Sequence, residues 1–215
     1  MMLSLDNISL KLGARTLIQP FSLAIEPGSI VTLMGASGSG KSSLLSFIGG
    51  ELAEAFVATG DITLNRIKLN HIAPEKRKIA RLFQDDLLFP HMTVGENILF
   101  AIPQAPAQMR QQKMREALQL VELDGFEARA PHTLSGGQRA RVALVRSLVA
   151  QPLAILLDEP FSKLDPALRA AIRAMTFNLI REQKIPALLV THSHSDAPTD
   201  GVVLQISTDG KLLHV

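Results

Sequence analysis

The sequence predicts an α/β fold: a mostly parallel sheet, a small antiparallel β subdomain and an inserted α-helical subdomain. Three observations carry that expectation. Ile30–Met34, Leu153–Leu157 and Ala187–Thr191 are apolar runs of the kind found in parallel strands covered on both faces. Leu3 to about Val31 is strand-like and short-patterned instead, and Gly60–Leu64 with Ile67–Leu69 forms a second such patch, as in a small antiparallel sheet. From Asp85 to Val149 no strand signal occurs.

In chain order, Leu3, Leu5, Ile8, Leu10 and Leu12 are apolar among polar neighbours, Phe21–Ile25 alternates with period two, and Pro27-Gly28 marks a turn. The strand Ile30–Met34 then enters Gly35-Ala-Ser-Gly-Ser-Gly-Lys-Ser42. That stretch fits G-x-x-x-x-G-K-[ST], with Gly35, Gly40, Lys41 and Ser42 in the fixed positions, and a helix over Ser43–Ile48 follows. Glycines let the backbone turn tightly and bring its N–H groups against phosphate oxygens, where the helix N-terminus adds partial positive charge. Lys41 can place an ammonium between β- and γ-phosphates, and the Ser42 hydroxyl can take a Mg²⁺ ligand position. The expectation is a P-loop NTPase core that binds a nucleoside triphosphate; a Gly/Ser-rich turn before an ordinary helix is the competing reading.

Glu75–Arg81 is a basic run that reads as a solvated surface, since no tyrosine or tryptophan is interleaved to stack bases. Ile79–Phe83 reads as a strand ending at Gln84, a polar residue where parallel sheets bind ligands. Asp85–Phe100 reads as irregular, Pro103 and Pro106 punctuate the chain, and Gln108–Leu123 reads as an amphipathic helix. The expected organisation is one domain over 1–215. Its α/β core and antiparallel subdomain occupy 1–84 and 150–215, and its helical subdomain 85–149.

Leu134-Ser-Gly-Gly-Gln138 opens the next helix, with Ser135 as N-cap and two glycines exposing N–H groups to an anion. Pro152 stops that helix. Leu153–Leu157 delivers Asp158-Glu159 to the carboxyl edge of the sheet, where two buried carboxylates are costly unless a cation is near. Beside a phosphate loop, the economical reading is Asp158 on Mg²⁺, directly or through water, and Glu159 facing an attacking water. The bland alternative is a helix-capping Asp with an exposed Glu. Asp165-Pro166 starts another helix. His192 follows Ala187–Thr191 at the same sheet edge as Gln84 and Asp158, which points to a γ-phosphate contact; His194 reads as solvated loop. Val202–Ile206 and Lys211–Leu213 read as a closing hairpin around Asp209-Gly210.

Composition narrows the classes. Lys+Arg 22 against Asp+Glu 20 leaves a formal charge of +2, too balanced for a chain built mainly to neutralise nucleic-acid phosphates. With no cysteine there is no disulfide framework and no thiolate ligand or nucleophile. Met1–Ile8 lacks a basic region and carries Asp6, unlike a signal peptide. Nothing approaches the roughly eighteen consecutive apolar residues of a membrane span, so a cytoplasmic location is expected. The mean hydropathy of +0.20 suits doubly covered strands and an apolar docking surface.

The order phosphate loop, Gln84, Leu134–Gln138, Ala154-Ile-Leu-Leu-Asp-Glu-Pro160, Ser162-Lys-Leu-Asp165 and His192 resembles the ATP-binding cassette of ABC transporters over essentially the whole chain. Among cassettes it is most similar to short single-cassette subunits of bacterial importers, of the thiamine-transporter type. The resemblance implies that Gly35, Ala36, Ser37, Gly38, Ser39, Gly40, Lys41, Ser42 and Ser43 hold the phosphates of ATP. It implies that Ser42, Gln84 and Asp158 organise Mg²⁺, that Glu159 polarises the attacking water and that His192 contacts the γ-phosphate. Ser135, Gly136, Gly137 and Gln138 would contact ATP held by a second cassette, so that two copies sandwich two nucleotides across a two-fold axis. It further implies integral-membrane partner subunits, received near Leu87–Met92, and indirectly a periplasmic or extracellular solute-binding protein. No nucleic-acid partner is expected, and the chain would sit peripherally on the inner face of the cell membrane. Two departures stand out: Leu12 falls where an adenine-stacking aromatic is usual, and Ser193 where an acidic residue is usual. The competing function is a soluble ABC-type ATPase acting on nucleic acid or ribosomes; the chain lacks the long coiled coils and the second cassette that such members carry.

Overall fold

Residues 1–215 are described by a computed structural model and form two compact units. The first comprises Met1–Arg81, Leu153–Glu159 and Phe177–Val215. In chain order its elements are β1 (Leu3–Leu12), β2 (Arg15–Ile25), β3 (Ile30–Met34), α1 (Lys41–Gly49), β4 (Phe56–Leu64), β5 (Ile67–Lys68) and β6 (Ile79–Leu82), the last at the edge of the unit. After the second unit's insertion come β7 (Ala154–Asp158), β8 (Ala187–Val190), β9 (Val202–Ile206) and β10 (Leu212–His214).

One sheet has the order β2-β1-β4-β5, with β1 antiparallel to both neighbours. The other runs β10-β9-β3-β8-β7-β6, with β3 parallel to β8 and β9, and β7 parallel to β8. Every residue of β3, β7 and β8 is buried, which is why these sequences show no alternation. Leu44, Leu45 and Ile48 of α1 join Val31, Leu33, Leu156 and Leu188 in one apolar cluster, which also takes in Leu3, Leu10, Ile25 and Ile62 from the antiparallel sheet.

In the basic run Glu75–Arg81, Glu75, Lys76 and Lys78 are exposed, as its charge predicts, but two arginines are not. Arg77 is only 6% exposed. Its guanidinium donates to the carbonyls of Ile72 at 2.8 Å, Phe47 at 3.1 Å and Ile48 at 2.8 Å. It thereby closes the C-terminal end of α1, whose last carbonyls have no helical partner and carry partial negative charge. Burial lowers the Arg77 pKa from its ordinary value. Arg81 also turns inward, onto the site described below.

The second unit comprises Leu82–Pro152 and Pro160–Thr176. It contains α2 (Val94–Ala101), α3 (Ala107–Leu120), α4 (Gly136–Val149) and the first turns of α5 (Pro166–Glu182). Val94, Ile98, Met114, Leu118, Val142 and Val145 are buried in it. Asp85–Phe100 is thus not irregular throughout. Thr93-Val-Gly-Glu96 is a capping box: Thr93 Oγ1 accepts from the Glu96 N–H at 3.2 Å and Glu96 Oε2 accepts from the Thr93 N–H at 2.7 Å. Just after it, the wholly buried Asn97 donates to the carbonyls of Phe89, Met92 and Thr93 and accepts from the Phe89 N–H at 2.8 Å. Pro160–Thr176 falls in this unit and not with the α/β core, because Phe161 and Ile172 are buried there and Leu168 lies over Gly137.

Candidate ATP-hydrolysis site

Because β3, β8 and β7 are neighbours, the loops after their carboxyl ends converge; Val190 of β8 pairs with Leu33 of β3 and with Asp158 of β7. The phosphate loop leaves β3. Gly38 (φ 76°) and Gly40 (φ 96°) take left-handed conformations that a Cβ disfavours, and a Cβ on Gly40 would also lie 3.1 Å from the Leu17 side chain. Gly40 is the N-cap of α1 and supplies no side-chain cap, which leaves the first N–H groups open to an anion. Ala36, Ser37 and Gly38 form the exposed tip, and Ser43 is half-buried on α1.

Lys41 is 7% exposed, with Nζ donating to the carbonyls of Gly35 at 2.7 Å and Ala36 at 2.9 Å. Burial lowers its pKa, while the carboxylates of Glu159 and Asp158 work the other way. Ser39 Oγ is buried without a hydrogen-bond partner. A buried ammonium resting on backbone carbonyls and an orphaned hydroxyl in one glycine-rich loop fit a polyphosphate, which would satisfy both.

At the end of β7 the Ser42 hydroxyl donates to Asp158 Oδ1 at 2.9 Å, and Arg81 Nη2 donates to Oδ2 at 2.6 Å. Asp158 is 8% exposed, whereas Glu159 is only half-buried, so the cost of two buried carboxylates falls on Asp158 alone. Its cation here is Arg81, a residue the sequence reading passed over as surface. Glu159 sits at φ 47° and its N–H donates to the Val190 carbonyl at 2.9 Å, fixing it to β8. Its Oε2 lies 2.9 Å from Nδ1 of the exposed His192. Behind His192, Thr191 Oγ1 donates to the buried Asp196 at 2.9 Å and shapes the turn that contains Ser193. His194 is exposed on that turn, as expected.

In the second unit Ser135 caps α4. Its Oγ accepts from the Gln138 N–H at 3.3 Å, and Gln138 Oε1 accepts from the Ser135 N–H at 2.9 Å, a reciprocal box like that of α2. Gln84, two residues past β6, is exposed and lines with Asp86, Gly136, Arg139 and Phe161 a cleft of about 280 Å³. Arg139 holds the Gln84 loop to the start of α4, donating to Asp86 Oδ2 at 2.9 Å and to the Leu134 carbonyl at 2.7 Å. Lys163 pairs with Asp85. The structure therefore brings Ser42 to Asp158, Glu159 to His192, and Gln84 to Gly136.

Comparison with known proteins decides the family. The family model "ABC transporter" matches residues 18–162. The chain belongs to the ABC transporter family. Among similar proteins, the ABC transporter ATP-binding protein YnjD of Escherichia coli is 45% identical over 207 residues, 96% of this chain and 95% of that protein. The sulfate/thiosulfate import ATP-binding protein CysA of Halalkalibacterium halodurans is 37% identical over all of this chain and 61% of its own length. The spermidine/putrescine import ATP-binding protein PotA of Chromobacterium violaceum is 39% identical over 98% of this chain and 58% of its own length. The chain thus spans nearly all of the first and about six-tenths of the other two. As an ABC transporter ATP-binding domain it binds and hydrolyses ATP. No helix is long and apolar enough to cross a membrane.

Proposed function

We propose that this chain is the ATPase subunit of an importer, and that two copies close around two ATP molecules to drive solute across the cytoplasmic membrane. The observation that carries the reading is the convergence of the phosphate loop, Asp158, Glu159 and His192 at adjoining strand ends. The 215 residues work as one ABC ATPase domain, with the helical segment 85–149 presenting the signature to the partner copy. Import, in preference to export, is the direction named for the CysA and PotA relatives.

Ser42, Asp158 and Gln84 would hold Mg²⁺. Oxygen donors suit it, and one carboxylate beside phosphates and water is a usual Mg²⁺ environment. Bound there, it would neutralise charge building up on the transferred phosphoryl group. Lys41 would exchange the carbonyls of Gly35 and Ala36 for phosphate oxygens, with the loop N–H groups of residues 35–43 and Ser39 beside it. Glu159 orients the attacking water and takes its proton, and His192 fixes the Glu159 carboxylate while reaching the γ-phosphate. Ser135, Gly136, Gly137 and Gln138 of one copy would face the nucleotide on the other. Contacts to the γ-phosphate exist only when the copies are closed, so ATP favours closure and hydrolysis releases it.

The membrane subunits would dock at Leu87–Met92, where Leu87 is 53% exposed and Phe100, edge-on to Phe89 at 5.0 Å, is 65% exposed. A solute-binding protein on the far side would act through those subunits. The chain itself would lie on the inner face of the membrane. Light scattering of Glu159→Gln with and without ATP, beside turnover assays, tests the reading. An ATP-dependent dimer with lost turnover is the expected result. A monomer with lost turnover would assign closure to the membrane subunits, and undiminished hydrolysis would overturn the role of Glu159.

A further inference from the structure

Arg81 lies on β6, the edge strand of the second sheet, between Ala80 and the buried Leu82. Its side chain and that of Asp158 are nearly closed to solvent, with 13% and 11% of their surfaces accessible. Nη2 lies 2.6 Å from Asp158 Oδ2 and donates to the Ser42 carbonyl at 3.3 Å, while Nη1 donates to Ser46 Oγ at 3.0 Å. The guanidinium is therefore fixed against the first turns of α1, on the opposite oxygen of the carboxylate from the Ser42 hydroxyl.

We propose that Arg81 is a resident counter-cation at Asp158: it holds the carboxylate in place without metal, and it loosens the hold of the site on the divalent ion that accompanies the nucleotide. This rests on the reading of Ser42 and Asp158 as metal-organising groups. Any cation at Ser42 Oγ and Asp158 Oδ1 shares that carboxylate with a fixed positive charge. In this part-buried site the two repel, and Oδ2 is already engaged by Arg81. The site consequently needs a higher metal concentration to fill than an apolar residue at position 81 would demand.

The test uses the full chain, a non-hydrolysable ATP analogue, and Mn²⁺ as probe, with free ion counted by electron paramagnetic resonance. Arg81→Met, and Arg81→Gln, which keeps a hydrogen bond without the charge, are expected to hold Mn²⁺ at least about fivefold more tightly than wild type. Arg81→Lys should stay within about twofold, because the charge is retained. In EDTA the uncharged variants should melt below wild type and recover more on adding Mn²⁺ and nucleotide, since Asp158 has then lost the guanidinium hydrogen-bonded to it. Unchanged Mn²⁺ affinity in either uncharged variant overturns the proposal. Asp158→Asn separates this from the reading beneath it. Weakened Mn²⁺ binding there, with no gain in Arg81→Met, sinks the role of Arg81 alone, whereas full Mn²⁺ affinity in Asp158→Asn sinks the metal assignment itself.

Discussion

Glu159 Oε2 and His192 Nδ1 are 2.9 Å apart across 33 residues of sequence, and Glu159 makes that contact from a left-handed backbone at φ 47°. The juxtaposition comes from strand order. β7 and β8 are adjacent and parallel, so the residues just past their ends must meet. The left-handed turn aims the side chain out of the sheet edge, and a non-glycine residue held so costs of order 1–3 kcal/mol.

That backbone makes the usual ranking of small residues reverse. Glu159→Gly is expected to be more stable than Glu159→Ala by about 1 kcal/mol, since only the former relieves the left-handed conformation. Thermal denaturation of the two variants checks this, and both should have lost turnover. An alanine variant as stable as the glycine variant would count against strain at this position.

Arg77 should prove structural and not functional. Replacing it with Met removes its donors from the carbonyls of Phe47 and Ile48 at the end of α1 and of Ile72 in the loop after β5, and should cost about 2–4 kcal/mol. Urea unfolding should show a lowered midpoint with unchanged slope. A loss below about 0.5 kcal/mol, the range of ordinary surface changes, would mean that water replaces the guanidinium without penalty.

The two signature glycines are not equivalent. A Cβ on Gly137 would lie 2.3 Å from Leu168 Cδ2, while one on Gly136 would find nothing nearer than Arg139 at 4.0 Å. Gly137→Ala should therefore cost about 1–2 kcal/mol, most of it recovered by adding Leu168→Ala. Gly136→Ala should leave stability within about 0.5 kcal/mol. Its measured effect is expected in the ATP-dependent dimer, which sedimentation would show weakened, because that position faces the partner's nucleotide.

Leu12 is 42% exposed at the end of β1, where the family places an aromatic ring for adenine. Without such a ring the preference for ATP over GTP should be under tenfold, or 1.4 kcal/mol. Leu12→Tyr should tighten ATP binding by about 1–3 kcal/mol, the value of one base stacked on an aromatic side chain. Competition titrations with a fluorescent nucleotide read both numbers.

Much of the site was legible because its signals are local. The apolar runs that became β3, β7 and β8 end directly at Gly35, Asp158 and Thr191, so strand and chemistry could be read together. Ser135 announced a cap for the same reason. Three features were not seen. The capping box Thr93-Val-Gly-Glu96 was a readable four-residue signal, hidden behind Pro90 and a helix of only eight residues. Arg77 and Arg81 looked like surface because a charge run gives no hint of its partners, and theirs lie 29 and 77 positions away. The left-handed turn at Glu159 arises from its tie to Val190, a long-range contact with no local mark.

The position of β3 has a consequence for how the protein is made. Val31 is flanked by Leu188 on one side and Val202 on the other, so the strand that ends in the phosphate loop leaves the ribosome long before either neighbour. Pairing across so long a span is slow, since chain closure must precede any gain from contact. A nascent chain halted before Ala187 carries the entire Gly35–Ser42 motif without a sheet to seat it. Capacity to hold a nucleotide is thereby expected to wait until Ala187–Val190 and Val202–Ile206 have been made.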